Sequence, residues 1–231
     1  MGPMRTSDDF GWIRAAYPVW FDNGYCATLV RADPEAVLAA LGGGYARRTV
    51  VGVGSGLGFI AVHDYDVDLE VEQAFGVTAV AGDGGCWTLL AQSESSFIGI
   101  DDKPMIEVLG ERFEVVSHSV GSSGYGQFKW WRDGRRQIMF EPLLAPHTLS
   151  SENLPEYAGS GRDTVVELVR LTGGIQVEAT DTTSENSLVE GAFALAEALT
   201  GVHLTREVLD TAVFTLSVIA IRPGARWDRP Q

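Results

Sequence analysis

The clearest indication of the fold is the stretch QFKWWRDGRRQIMF at residues 127–140. It contains two β-prone runs, and Asp133-Gly134 separates them. An Asp-Gly pair accepts the positive φ angles of a type I′ turn, which joins two antiparallel strands through two residues. We therefore predict a β-hairpin here. Its tip is expected in solvent, because a buried turn would leave backbone polar groups unpaired.

Other segments around this hairpin share the two-residue period of a β-strand. Tyr25–Arg31 is β-prone, and glycine, which tight turns and bulges favour, accounts for 27 of the 231 residues. The block from Thr49 to Glu141 is therefore predicted to form a mainly antiparallel sheet. Its candidate strands lie near residues 49–54, 58–63, 86–92, 96–100, 112–119, 125–132 and 135–141.

Helices are predicted on both sides of this block. Asp33 in the N-cap position and Pro34 in the first turn predict a helix that ends at Gly42. In the tail, an apolar stripe at helical spacing stops at Gly201, and Thr205 can cap a further helix. The members of that stripe are Leu188, Ala192, Leu195 and Leu199. The tail is therefore predicted to be mostly helical.

We predict a single α+β domain over residues 1–231. A largely antiparallel sheet from residue 25 to 141 is covered by an N-terminal helix at 34–41 and by the C-terminal amphipathic helices. The segment at about 145–163, rich in Pro, Ser, Gly and acidic residues, is predicted to be a long loop. An independent tail would have to form its own core with about 70 residues, near the lower size limit.

Composition limits the classes of function. The chain carries 31 Asp and Glu against 17 Lys and Arg, a net charge of −14, and its pI is about 4.6. This charge disfavours non-specific binding to nucleic acids and anionic membranes, and it favours a basic protein partner. No apolar run approaches the roughly 18 residues of a membrane span, and Met1-Gly2-Pro3-Met4 does not begin a secretory signal. We therefore expect a cytoplasmic protein.

No motif for a cofactor or a metal ion is complete, and we predict neither. The glycine-rich run at 52–59 lacks the third glycine of G-x-G-x-x-G, so a turn or bulge is the simpler interpretation. Alternating acids from Asp64 to Glu72 lack the pattern of a calcium loop. They are expected to form a solvated face, with divalent-metal binding and docking of a basic partner as alternatives. The two cysteines, Cys26 and Cys86, are predicted to be buried thiols.

Motifs for nucleophilic catalysis are also incomplete. No G-x-S-x-G occurs. In Ser117-His118-Ser119 the imidazole points away from both hydroxyls, because neighbours on a strand face opposite sides. Four polar residues of the strand block are nevertheless candidates for a pocket between the sheet and the helices, namely Glu94, Ser117, His118 and Glu141. The sequence does not indicate which of them pair.

The hairpin provides the candidate binding site. Its tip places three arginines around one aspartate in an otherwise acidic chain, and arginine and tryptophan are enriched at binding hot spots. The predicted site consists of Trp130, Trp131, Arg132, Arg135 and Arg136. Adjacent strand residues face opposite sides, so we expect one Trp in the core and the other partly open. The alternative is that the arginines pair with the protein's own acids.

Several short motifs follow one another along the chain. They are Tyr25-Cys26-x-Thr28-x-Val30-Arg31, Asp33-Pro34-Glu35, Trp87-Thr88-Leu89-Leu90, Phe97-Ile98-Gly99 and Phe140-Glu141-Pro142, with a closing amphipathic helix. Together they resemble an actinobacterial family of unknown function, from about residue 10 to residue 214. Ala91–Ser96 departs from the family pattern, in which an acidic residue is expected that Glu94 could supply. The resemblance supports the predicted fold and implies no activity.

These observations favour a non-enzymatic protein-interaction module. We expect an immunity-like or antitoxin-like neutraliser, because negative charge steers association with basic proteins. The alternative is a small-molecule-binding protein or an enzyme whose pocket lies between the sheet and the helices. A cavity that holds at least two of the four polar candidates within hydrogen-bond reach would favour the alternative, and their dispersal would exclude it.

Overall fold

The computed structural model describes residues 4–22, 24–42, 45–54, 72–93, 105–121, 124–149, 160–178 and 187–220. The strands are β1 (Gly24–Val30), β2 (Tyr45–Val51), β3 (Glu72–Gly82), β4 (Gly85–Ser93), β5 (Val115–Gly121), β6 (Gly126–Arg132), β7 (Arg135–Phe140) and β8 (Val213–Ala220). They form one eight-stranded sheet in the order β2-β8-β3-β4-β1-β5-β6-β7. Every neighbouring pair is antiparallel. The predicted α+β class with a largely antiparallel sheet is confirmed.

Helices precede the first strand and lie between later strands. They are α1 (Ile13–Ala16), α2 (Pro18–Phe21), α3 (Pro34–Ala40), α4 (Met105–Gly110), α5 (Ala145–Thr148), α6 (Arg162–Thr172), α7 (Leu188–Thr200) and α8 (Arg206–Thr211), with 3₁₀ turns at Ser7–Phe10 and Pro142–Leu144. Asp33 caps α3 by accepting a hydrogen bond from the Ala36 amide at 2.8 Å. At the other end of the chain, α7 stops at Gly201, which adopts φ +65°. These local signals are the ones that the sequence predicted.

Two strands, β3 and β8, were not predicted, and the tail is less helical than expected. In β8, Phe214, Leu216 and Val218 are buried on one face, and the strand lies between β2 and β3. Its neighbours are distant in sequence, so no local pattern indicates this position. The candidate strands at 58–63 and 96–100 lie outside the described residues.

The two predicted helical covers lie on opposite faces of the sheet. On one face, α7 contacts β5 and the 3₁₀ turn Ser7–Phe10, and α2 contacts β1. On the other face, α3 contacts β3 and β4, and α4 contacts β5. The apolar cluster on this second face includes Val30 of β1, Val37 of α3 and Ile106 of α4. The sheet therefore has helices on both sides.

The segment predicted as a long loop begins as helix α5, and residues 150–159 lie outside the described part. The chain rejoins the sheet at Gly161, whose amide donates to the Gln137 carbonyl at 3.0 Å. Beyond this segment, Phe193 of α7 packs against Trp20 and Tyr25, with ring centroids 5.8 and 6.0 Å apart. The tail thus shares a core with the first strand, and limited proteolysis between 145 and 163 would test the predicted single domain.

The two cysteines differ in exposure. Cys26 is buried, as predicted, but Cys86 is exposed, so the prediction for the second thiol is wrong. Cys86 is the second residue of β4 and follows the tight turn from β3, where its apolar neighbours in sequence do not enclose it. Within the described ranges, none of the helices combines the length and apolar character that crossing a membrane would need.

Candidate functional site

A cavity of about 540 Å³ lies between the sheet and α7. Tyr25 of β1 and His118 of β5 line it from the sheet, and the loop before β6 and the turn after β7 line one side. Apolar side chains of α7 face them, namely Leu188, Val189 and Ala192. The exposed Arg14 of α1 completes the lining. The cavity has the position that the alternative hypothesis expected for a pocket.

Glu141 is the buried carboxyl group of this cavity. Only 2% of its surface is exposed. Its Oε2 accepts a hydrogen bond from the Gly126 amide at 2.9 Å, and its Oε1 accepts from Gly126 at 3.1 Å and from Leu143 at 3.2 Å. Burial raises the pKa of Glu141 to about 7, although these amide hydrogen bonds act to lower it. The carboxyl group therefore gains and loses its proton near neutral pH.

His118 contributes a buried imidazole to the lining of the cavity. Its Nδ1 lies 3.0 Å from the Tyr25 hydroxyl. Burial raises the pKa of Tyr25 well above its usual value, so the phenol keeps its proton. A protonated phenol can donate to Nδ1, which leaves the proton of a neutral imidazole on Nε2. Phe193 of α7 packs edge-on against the imidazole ring, with centroids 4.5 Å apart.

The structure brings together two of the four polar candidates and separates a third. His118 and Glu141 line the same cavity. Ser117 faces the opposite side of the sheet, where its hydroxyl lies 2.7 Å from that of Thr28, as the alternation along a strand requires. Glu94 lies outside the described residues.

A second buried carboxyl group lies near the cavity without lining it. Glu190 of α7 is 7% exposed, and its Oε2 has no hydrogen-bond partner among the described residues. Burial raises the pKa of Glu190, while the charge of Arg14 lowers it. The positive charge of Arg14 therefore already acts on this carboxyl group.

The hairpin turn forms as predicted, with φ +54° at Asp133 and +69° at Gly134. Trp130 is buried in the core on the α7 side of the sheet. Trp131 is half-buried against the cluster on the opposite face, where Gly110 of α4 leaves room for its ring. The two rings therefore face opposite sides, and both take part in internal packing.

The three arginines of the predicted binding site differ in their surroundings. Arg132 donates from Nε to Glu114 Oε1 at 2.7 Å, and its guanidinium lies 4.8 Å from the centre of the Trp130 ring. Among the described residues, the side chains of Arg135 and Arg136 have no ion-pair or hydrogen-bond partner. Arg132 thus serves an internal contact, whereas the other two are available to a partner.

Sequence reasoning missed the parts of the cavity that come from distant segments. Arg14, Tyr125 and Leu143 line it, and no motif indicated them. One signal was present at Glu141, because an acid directly before Pro142 is typical of a helix start, and the side chain does cap that turn. Burial of the same carboxyl group required the fold. Within the described part of the chain, no group of three His, Cys, Asp or Glu is placed to hold a metal ion.

Comparisons with known proteins place the chain in a family. No curated protein and no solved structure matches it. A family model described as a family of unknown function (DUF6461) matches residues 4–224. The match covers nearly the whole chain, so the protein belongs to this family.

Proposed function

We propose that this member of DUF6461 binds a small molecule in the cavity between the sheet and α7. The observation that carries the proposal is the presence of a buried carboxyl group, Glu141, and a buried imidazole, His118, on one concave surface. Pockets with a few converging polar groups among apolar walls are typical of ligand sites, particularly where pKa values are perturbed.

The size and the lining of the cavity support this function. Small-molecule sites usually measure about 300–1,000 Å³, and this cavity measures about 540 Å³. Leu188, Val189 and Ala192 supply an apolar wall, while Glu141 and His118 supply the polar groups that would orient a ligand. Since a group with a pKa near 7 both donates and accepts protons at neutral pH, the same site could also support acid–base catalysis of a bound substrate.

A cavity-blocking variant tests the proposal. Leu143 and Leu144 are neighbours in the same 3₁₀ turn and are similarly exposed, at 46% and 47%, but of the two only Leu143 lines the cavity. We expect fragments of a small amphipathic library, screened by ligand-observed NMR, to bind the wild type and Leu144→Trp and to lose binding to Leu143→Trp. Fragment binding that survives in Leu143→Trp, or no binding to the wild type, would refute the proposal.

A second candidate function is protein binding through the hairpin tip. Its support is the pair Arg135 and Arg136, which have no ion-pair partner among the described residues and lie beside an exposed turn. Neutralisation of a basic partner, by contrast, rests on the net charge of −14. A pull-down at low salt, where charge steering is strongest, would test that hypothesis, and recovery of chaperones alone would count against it.

A further inference from the structure

We propose that the ligand of this cavity is an amphipathic amine, with a protonated amino group bound by Glu141 and an apolar body packed against α7. This inference rests on the proposed function and names the chemical class of the ligand. It depends on the acceptor capacity of Glu141, on the charges around it and on the apolar wall.

The first step concerns the oxygens of Glu141. This residue provides the only carboxylate among the described residues that line the cavity. Its Oε1 accepts two amide hydrogen bonds, whereas its Oε2 accepts only the one from Gly126. A carboxylate offers about four acceptor sites, so Glu141 retains capacity for a donor from a ligand. A protonated amine has such donors, and its positive charge also neutralises the negative charge of the buried carboxylate.

The second step concerns the other charged and polar groups around the cavity. Arg14 is the lining cation, and its charge is offset by Glu190 on α7. His118 and Tyr25 bind each other at 3.0 Å, and Tyr125, from the loop before β6, contributes a half-exposed phenol. An anionic ligand would lie beside Glu141, and the net charge of −14 disfavours its approach. The charges around the cavity therefore favour a cationic ligand over an anionic one.

The third step concerns the body of the ligand. Val120, Pro142, Leu188 and Val189 present apolar surface to the cavity, and burial of apolar surface supplies most of the affinity of small ligands. A fully hydrated ion would lose its water shell there without replacement. An amine attached to a hydrocarbon or aromatic body can pack against the apolar wall and donate hydrogen bonds to the carboxylate.

The pH dependence of binding follows from the ionisation of Glu141. Aliphatic amines have a pKa near 10, as lysine does, so they stay protonated between pH 6 and 8. Burial raises the pKa of Glu141 to about 7, so amine binding must displace its proton at pH 6 but not at pH 8. We therefore expect the amine to bind about tenfold more tightly at pH 8 than at pH 6.

Three probes with one body and different head groups test the inference, namely phenylpropylamine, phenylpropanol and phenylpropanoate. Their affinities for the whole protein are measured by NMR titration at pH 6 and pH 8. At pH 8 we expect the amine to bind at least tenfold more tightly than the alcohol, and only the amine to weaken at pH 6. Glu141→Gln should remove the preference. Glu197→Gln changes a buried carboxylate of α7 that lies outside the lining and pairs with Arg5, and it should change the preference less than twofold.

The outcomes separate this inference from the proposed function. Equal affinities for the amine and the alcohol, both lost in Leu143→Trp, would overturn the ligand class and leave the cavity as a binding site. Tighter binding of phenylpropanoate would overturn it in favour of an anion held by Arg14. If Glu141→Gln fails to fold, the preference of the wild type for the amine over the alcohol at pH 8 decides the matter, and equal affinities there overturn the inference.

Discussion

Glu141 in the cavity and Arg132 at the hairpin tip are both held by neighbouring groups, but they differ in exposure. Glu141 is 2% exposed, and burial raises its pKa to about 7. The Arg132 side chain is 45% exposed, and an ion pair in such a position contributes little to stability because water and salt screen it. Burial therefore gives the cavity a group that titrates near neutral pH, while the exposed guanidinium of Arg132 keeps a permanent charge in its internal contact with Glu114.

The largest expected effect concerns the aromatic residues beneath the tip. Trp130→Ala should lower the free energy of unfolding by about 3–5 kcal/mol, because it removes a large buried side chain from the core. Trp131→Ala should cost less, about 1–2 kcal/mol, because Trp131 is only half-buried. Urea unfolding of the two variants measures the difference. Equal losses would mean that the two faces of the hairpin are packed alike.

The pH dependence of stability tests the cavity side of the comparison. The folded protein holds the Glu141 proton between pH 4.5 and about 7, whereas the unfolded chain has released it. The free energy of unfolding should therefore fall as the pH rises through this window, by up to about 3 kcal/mol, and level off above it.

Glu141→Gln provides the control for this prediction, because it keeps the side-chain shape and cannot ionise. Urea unfolding at pH 5 and pH 8 should show a smaller loss in Glu141→Gln than in the wild type. Any contribution of Glu190, whose pKa burial also raises, is common to both proteins and cancels. If the stability of the two proteins changed in parallel with pH, the pKa of Glu141 would not be raised in the folded protein.

The ease of prediction differs between the two regions for a physical reason. The hairpin and the start of α3 follow from interactions within four residues, such as the Asp33 cap and the positive φ at Asp133 and Gly134, so the sequence indicates them directly. By contrast, β8 takes its place through pairing with β2 and β3, far along the chain. Phe214, Leu216 and Val218 do carry the two-residue period of a strand, a local signal that the prediction of a helical tail overlooked. The position of β8 between β2 and β3 is the part that depends on distant segments.

The residues of the cavity could also be predicted only in part, because their arrangement depends on segments that are distant in sequence. His118 and Glu141 could be named because polar residues within apolar strands are unusual, and alternation placed Ser117 on the other face. Their convergence required β5, β6 and β7 to pair in this register. It also required α7 to pack over the two residues. The sequence around His118 and Glu141 indicates neither this packing nor the strand register.

A smaller effect is expected from the ion pairs of the tip. The side chain of Glu114 is 8% exposed and bridges Arg31 and Arg132. It also accepts a hydrogen bond from Trp130 Nε1 at 3.3 Å. Glu114→Ala should lower the free energy of unfolding by about 1–2 kcal/mol, because it leaves the indole N–H of a buried ring without its acceptor. Glu111→Ala, an exposed acid in the same loop, should cost less than about 0.5 kcal/mol. A loss in Glu114→Ala no larger than in this control would mean that the bridge does not stabilise the tip.

The smallest effect on stability should come from Arg135 and Arg136. Among the described residues they have no ion-pair partner, so the double variant Arg135→Ala/Arg136→Ala should change the free energy of unfolding by less than about 0.5 kcal/mol. Binding of any partner that uses the tip should fall, because two guanidinium groups beside an exposed turn are lost. Arg170→Ala/Arg206→Ala removes the same charge from exposed positions on α6 and α8 and should leave binding intact. Equal losses of binding in both double variants would indicate bulk charge rather than a site, and lost stability with unchanged binding would show that the two arginines serve only internal contacts.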